Sequence, residues 1–566
     1  MMRGSVGIIS GETGSFGFKF LISDSTVVHR GEYVKAWHEK DGWVLCQVLS
    51  IKRFSDKVST KHSFDEAKKV FEESKKSGKD RKSSDRIVAD ATVIGSRDPS
   101  GLLRAPKTPF SPGDDVYKAD NDLISSALGL SGNEMYIGLL DGTDIPVHLS
   151  VNSLVQKHCS ILAKTGSGKS YTAAVLLEEL LDRKVPLLIL DPHSEYASMK
   201  DAAAKTDDLK KFGVSPKGYG SNITIYTPAN KAVNPNADEL FRLNGNNLSA
   251  KDLTAIFPDN LTSTHTGILY EAIQKLRAEM ETYTLDDIIF EVGNNESKAR
   301  WNVMSVLEDI RDSDLLSSSP TSLEELMQKG KAAVIDFKGV SPDLQSMIVA
   351  QLCGALFEAR KMNAIPPGML VVEEAHNFAP ERGFSKTASS EVLRTIASEG
   401  RKFGLGMMVI SQRPARIDKN VLSQCGTQVI MKVTNPNDLK SISKGLEGVN
   451  SFVEDELMRL PPGVAMLVSN DIERPVLVDI RVRKSKHGGE SVNVLKSAQT
   501  ASPAPVKRAS KPVSQPPKRS DSVKAEVEAP DGAGSPPPKR QPSRQVNRQP
   551  NSGSGGLFKK IFGSEK

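Results

Sequence analysis

From residue 6 to residue 54, apolar positions alternate with polar ones in short runs: VGII at 6–9, FGFKFLI at 16–22, EYVKAW at 32–37 and WVLCQVLSIKRF at 43–54. A two-residue period broken by Gly and Asp predicts a small β-barrel or sandwich. Residues 61–86 (KHSFDEAKKVFEESKKSGKDRKSSDR) are charged and helix-like, which predicts a solvated insertion within the barrel. Short strands are expected to resume at Ile87–Ile94 and Met135–Leu140.

The period changes from about Ser153. Short apolar runs appear at Ile161–Leu162, Leu187–Leu190, Ile223–Ile225, Ala333–Phe337, Met369–Val372, Met407–Ile410 and Gln428–Val433. Helical patterns such as Tyr171–Arg183 and Asp343–Lys361 lie between them. Strands apolar on both faces, joined by helical crossovers, predict a parallel sheet in an α/β domain. The stretch 236–328 is dominated by helical periodicity and reads as an all-helical insertion. The expected organisation is therefore a barrel over 1–145 with its charged helical insertion, an α/β domain over 146–483, and a tail over 484–566.

Composition separates the tail from the rest. Residues 501–566 hold eleven prolines and much Ser, Gly, Lys and Gln, so the tail is expected to be disordered. They also hold thirteen Lys/Arg against five Asp/Glu, a net of +8 in a chain whose total is +6, which leaves −2 for residues 1–500. The folded part is not a generally basic body, and any contact with a polyanion must come from local patches or a lined channel. Leu557, Phe558, Ile561 and Phe562 fall on one face of a short amphipathic end. Aromatics at 5% argue against a nucleic-acid module built on base stacking. The four cysteines, Cys46, Cys159, Cys353 and Cys425, share no CxxC spacing, which points to reduced thiols in a cytoplasmic protein and away from a zinc site. No apolar run approaches the ~20 residues that span a bilayer, so no stable membrane association is expected.

The chemistry starts at AKTGSGKS, residues 163–170, between a short apolar strand and an amphipathic helix. This is the phosphate-binding loop spacing. Gly166 and Gly168 let the backbone curl so that successive N–H groups point at phosphate, Lys169 reaches the β- and γ-oxygens, and Ser170 is placed to ligand Mg²⁺. Thr165, Gly166, Ser167, Gly168, Lys169, Ser170 and Tyr171 thus form the expected ATP cradle. MLVVEEAHNF ends a buried strand in two acids: Glu373 is expected at the Mg²⁺ shell and Glu374 at the attacking water. Asp191 ends another apolar strand in LLILDPHSEY, and a role near the metal or water competes with a role capping a turn. Gln412, at the tip of the Met407–Ile410 run, is the candidate γ-phosphate sensor. Arg401, Arg394 and Arg413 are candidate arginine fingers, and His193 reads as structural.

The barrel, the stretch IGLLDGTDIPVHLSVNSLVQKHCSILAKTGSGKS, LDPHSEY, VVEEAHNFAPERG and SEGRKFGLGMMVISQRPARIDKNVLSQCGTQVIMKVTNPNDLK together resemble the HerA family of DNA translocases, in the clade that also holds FtsK. The likeness covers most of residues 1–483, and its ISQRP…SQC segment is far more specific than the phosphate loop. It implies a RecA-like P-loop ATPase core with a four-helix insertion and an N-terminal HAS-barrel-like cap. It implies hexameric rings that pump double-stranded DNA and act with a NurA-like nuclease in end resection for double-strand break repair. Lys169, Ser170, Glu374, Asp191, Gln412 and Arg401 match the family's motif residues. The basic residue about twelve before the loop lysine is Lys157 here, where the family has arginine, and lysine lacks the planar fork. Two other readings remain open on the residues: a related motor for DNA transfer or secretion, and a nucleotide-gated scaffold.

Overall fold

The computed structural model describes residues 4–23, 27–55, 68, 85–250, 253–254, 262–312, 315–385, 387–445 and 452–488. Most of the charged insertion over 61–86, and the tail from 489 onward with its Leu557–Phe562 tip, lie outside the described residues.

Seven strands build the N-terminal sheet: β1 (Ser5–Thr13), β2 (Gly17–Ile22), β3 (Tyr33–His38), β4 (Gly42–Ser55), β5 (Asp85–Arg97), β6 (Leu103–Arg104) and β7 (Asp115–Lys118). The order β2-β1-β7-β3-β4-β5, with β5 pairing back onto β2, closes a six-stranded barrel, and β6 hangs on β5. Every second residue points inward. Phe18 and Phe20, Val34 and Ala36, Val44, Cys46 and Val48, and Ala89, Ala91 and Val93 fill the interior. The alternation seen along the chain is this inside–outside pattern.

The second sheet has twelve strands: β8 (Met135–Leu140), β9 (Pro146–Leu149), β10 (Cys159–Leu162), β11 (Leu187–Asp191), β12 (Ile223–Thr227), β13 (Glu239–Leu240), β16 (Ala332–Asp336), β17 (Gly368–Val372), β18 (Leu405–Ser411), β19 (Thr427–Ile430), β20 (Val464–Val468) and β21 (Val476–Ile480). A small pair apart from it is β14 (Leu243–Asn244) and β15 (Leu316–Ser317). The order is β13-β12-β16-β11-β17-β18-β10-β19-β20-β21-β8-β9. All pairings from β13 to β19 are parallel, and those from β19 to β9 are antiparallel. The parallel centre agrees with the sequence reading. Met135–Leu140 does not belong with the barrel strands as expected, because β8 pairs with β21 at the far side of the large sheet. Strand periodicity identifies a strand but not its partner, and this one precedes its partner by more than three hundred residues.

Central strands β10, β11, β16, β17 and β18 are buried along their whole length. Alternate residues feed two cores. Leu187 and Ile189 pack with the helix Lys169–Asp182, whereas Leu188 and Leu190 pack with the helix Pro342–Lys361 on the other face. The insertion is helical in bulk. Helices Ser263–Glu279, Leu285–Gly293 and Arg300–Asp312 bury Ile268, Leu269, Ile273 and Leu276 against Ile288, Val292, Val303 and Leu307. A four-residue helical turn, Leu323–Leu326, follows, and the two-residue ribbon β14–β15 joins the ends of the helical segment. Among the described residues, no helix is long and apolar enough to cross a membrane.

After β21 the chain turns back across the Lys169–Asp182 helix and locks onto it. Arg481, fully buried, donates from Nη1 to Glu178 Oε2 at 2.9 Å and from Nη2 to Glu179 Oε1 at 2.8 Å. Lys484 adds 2.8 Å contacts to Glu179 and Asp182, and the Ser485 hydroxyl donates to Glu178 at 2.7 Å. Removing one partner from such a network leaves charge buried without compensation, at a cost of about 3–5 kcal/mol. Arg481→Leu is therefore expected to lower stability by that order, read as a large drop in the thermal unfolding midpoint. The exposed pair Lys210–Asp207 serves as control, and Lys210→Ala should change the midpoint little.

Candidate functional site

The site lies where the parallel strands end. The chain leaves β10 at Leu162, curls through Ala163–Gly168 and enters the helix Lys169–Asp182. Gly166 has φ +78° and Gly168 φ +98°, left-handed values that L side chains rarely adopt. A Cβ on Gly168 would also come within 3.2 Å of Met431 Cε. Both glycines are thus required by backbone geometry, and the loop delivers Lys169 at the first turn of a helix whose N–H groups face the loop.

Strand β17 lies two places away, across β18. At its end Glu373 and Glu374 turn toward Lys169, whose Nζ donates to Glu373 Oε2 at 2.9 Å and to Glu374 Oε1 at 2.7 Å. The three side chains are 7%, 2% and 3% exposed, so this charge cluster is nearly dry. Glu374 sits at φ +46°, ψ +46°. A non-glycine residue in that region stores strain of about 1–3 kcal/mol, which the contacts to its side chain offset.

Other side chains fix the acids. The Tyr196 hydroxyl donates to Glu373 Oε1. Gln412 Nε2 donates to Glu374 Oε1 at 2.6 Å, and the Thr165 hydroxyl donates to Gln412 Oε1, so one chain of hydrogen bonds joins the loop, the β18 tip and Glu374. Glu374 Oε2 is buried and has no hydrogen-bond donor among the described residues, although His376 Nδ1 stands 3.3 Å off. His376 Nδ1 lies 3.0 Å from Ser411 Oγ.

Burial works against the Lys169 charge, but the two carboxylates outweigh it and hold its pKa above the ordinary lysine value. Burial raises the Glu373 pKa in spite of Lys169. Burial also opposes Glu374, yet Lys169 and the Gln412 amide together bring its pKa below the usual value. The second donor set separates the two acids: Glu374 stays ionised more firmly than its neighbour. Burial holds His376 below the ordinary imidazole range, against the pull of Glu374.

Asp191 ends β11 as expected, but its carboxyl is spent on backbone. Oδ1 accepts from His193 N–H at 3.1 Å, and Oδ2 accepts from Glu195 N–H at 2.8 Å and Tyr196 N–H at 3.2 Å. It shapes the turn that carries Tyr196 to Glu373. Of the two roles open in the sequence, turn capping is the one these contacts fill. His193 contributes its backbone here, and its ring faces outward.

Arg401 is not brought to the site of its own chain. It lies in the turn Gly400–Phe403 just before β18, while the phosphate loop follows the end of β10, which runs parallel to β18. Seven strand residues separate the two edges, roughly 23 Å at strand rise. Lys157 ends the helix before β10, on that same opposite edge. Arg394 is occupied by buried Asp418 at 2.6 Å. Arg413 is exposed beside Gln412. Sequence reasoning missed Tyr196 and His376. Their only signal was position, five residues after Asp191 and two after Glu374.

The donor set fits Mg²⁺. The Ser170 hydroxyl and the Glu373 carboxylate are hard oxygen ligands, and Mg²⁺ characteristically binds through one or two carboxylates together with substrate phosphates. Among the described residues no group of three His, Cys, Asp or Glu could hold a metal by itself, so the phosphates would have to complete the set.

Residues 135–356 match the family model described as "Helicase HerA, central domain", and residues 6–84 match the HAS barrel domain. A probable helicase of Methanocaldococcus jannaschii is 27% identical over 521 residues, covering 87% of this chain and 93% of that protein. The DNA double-strand break repair helicase HerA of Pyrococcus furiosus is 26% identical over 552 residues, covering 87% and 96%. The protein of that name from Sulfurisphaera tokodaii is 28% identical over 421 residues, covering 71% and 79%. The chain is similar to HerA helicases from its barrel into the domain that carries the phosphate loop.

Burial and the neighbouring Glu373 push the Asp191 carboxyl up to about 8. An unfolded aspartate loses its proton near pH ~4, so between these limits the folded chain holds a proton the unfolded chain has lost. The associated stability is complete below pH ~4 and is lost as pH rises through the folded value. Asp191→Asn, neutral throughout, escapes this loss. The difference in thermal midpoint, variant minus wild type, is expected to grow from pH 5 to pH 8, and a pH-independent difference would refute the assignment.

Proposed function

We propose that this HerA-like chain is an ATP hydrolase that drives movement along double-stranded DNA, as a ring, in repair of DNA ends. The observation that carries the hydrolytic part is the buried cluster in which Lys169 bridges Glu373 and Glu374 while Glu374 Oε2 has no donor among the described residues. A lone buried acceptor on an acid held ionised is the group needed to orient water and accept its proton. Triphosphate oxygens would compete with both carboxylates for the Lys169 ammonium, and each carboxylate released from Lys169 becomes free to act. Gln412 would keep Glu374 Oε1 fixed meanwhile, and Thr165 ties Gln412 to the loop. Mg²⁺ at Ser170 and Glu373 would supply charge neutralisation on the phosphates.

Support for the DNA part comes from the relatives, which are DNA double-strand break repair helicases, and from the charge distribution. A near-neutral folded body binds a polyanion best when several copies gather local basic patches round it. Support for the ring comes from Arg401 and Lys157, which lie on the edge remote from their own phosphate loop, where a neighbouring copy could receive them. A hexamer and a nuclease partner, as in the family resemblance, belong to the same reading.

Lys169→Ala is expected to abolish ATP hydrolysis and to lower the thermal midpoint, because Glu373 and Glu374 lose their buried partner. Glu374→Gln should retain ATP binding and lose about 10²–10⁴ in turnover. Linear duplex should stimulate wild-type hydrolysis, and the stimulation should weaken steeply between about 50 and 200 mM salt. Turnover of Glu374→Gln equal to wild type would remove the catalytic assignment. A rate indifferent to duplex at low salt would remove the motor.

A further inference from the structure

Beside the triphosphate site lies a cleft of about 630 Å³ that shares Thr165 and Gln412 with the hydrolytic cluster. Lys164 and Thr165 of the loop, Gln412, Arg413 and Arg416 after β18, and Phe384 are among its lining residues. Lys169, Ser170, Glu373 and Glu374 do not line it. Three cations, Lys164, Arg413 and Arg416, converge there on a lining with one carboxylate, Asp438. Glu381 pairs with Lys419 at 2.9 Å, Asp418 pairs with Arg394 at 2.6 Å, and Asp438 Oδ1 accepts the Ala415 N–H at 3.0 Å. The Arg416 guanidinium instead lies 5.5 Å over the ring of Phe384, which is 59% exposed. A guanidinium on an aromatic face keeps its N–H fork free in the ring plane for an oxyanion.

We propose that this cleft holds a backbone phosphate of the nucleic acid, with Arg416 and Arg413 as its fork donors and Lys164 as a point charge. The proposal rests on the motor reading above and locates its contact. Two observations favour nucleic acid. In a chain whose residues 1–500 carry a net −2, three cations without an ion-pair partner among the described residues, against one lining carboxylate, are a local patch of the kind a polyanion requires. The cleft also shares Gln412 and Thr165 with the chain of hydrogen bonds that ends on Glu374 Oε1. A phosphate drawn to Arg413 and Arg416 touches the segment that holds the hydrolytic glutamate, so DNA contact and hydrolysis meet at one side chain, Gln412.

The test compares wild type, Arg416→Gln, Arg413→Gln and Arg416→Lys for duplex affinity across a salt series, and for hydrolysis with and without duplex. Each glutamine variant is expected to bind duplex more weakly, with the slope of log affinity against log salt reduced by about 1. Arg416→Gln should keep its rate without DNA and lose DNA stimulation, and Arg416→Lys should recover the slope but not the full affinity. If wild type binds duplex and both glutamine variants match its affinity and slope, the cleft assignment falls while the motor stands. If wild type itself binds no duplex, both fall.

Discussion

Everything at the site follows from one ammonium group. Lys169 is held between two carboxylates in a space nearly closed to water, and that is affordable only because each charge has partners at hydrogen-bond distance. The arrangement needs β10 and β17 two places apart in a parallel sheet, both ending at the same edge. Parallel pairing with β18 between them supplies that register: Val371 opposite Met408, and Cys159 opposite the same residue. Antiparallel strands would have put the loop and the acids at opposite edges.

The same sheet sorts the candidate residues by edge. Residues that follow strands gather at one edge: Lys169, Glu373, Glu374, Gln412 and the Asp191 turn. Residues that precede strands gather at the other: Lys157 with its neighbour His158, and Arg401. His158 is buried there, at a backbone φ of +55°, with its ring between Ala397 O at 3.0 Å and the Met407 N–H at 2.9 Å. It ties the start of β10 to the start of β18, which fixes Lys157 and Arg401 relative to each other. The remote edge is therefore as firmly built as the hydrolytic one.

Local pattern carried most of the fold. The barrel alternation, the doubly buried runs and the phosphate loop all depend on residues close in sequence, and the structure shows them where they were expected. What local pattern could not supply was partnership. Met135–Leu140 reads as a strand either way, and only its pairing with β21 shows which sheet it joins. The Asp191 carboxyl reads as a strand-end acid, and only the fold shows three backbone N–H groups waiting for it. Tyr196 and His376 carry no motif, because each acts by orienting a motif residue, and several residue types can do that. Arg481 is the extreme case: its partners Glu178 and Glu179 look like solvated helix positions until the strand after them is seen to cover them.

That cover bears on how the site works. The helix after the phosphate loop is pinned along one side by Arg481, Lys484 and Ser485, and at its first turn the Tyr171 hydroxyl accepts the Arg483 N–H at 2.8 Å. These contacts restrain the helix along one side. From Glu374 the Thr165–Gln412 link leads to the turn Pro414–Arg416, which is tied to its neighbours by Ala415 N–H to Asp438 and by Glu381 N–H to Arg416 O at 2.8 Å. On the proposed function, the Thr165–Gln412 link is the connection through which a change at the γ-phosphate would reach the cleft of Lys164, Arg413 and Arg416.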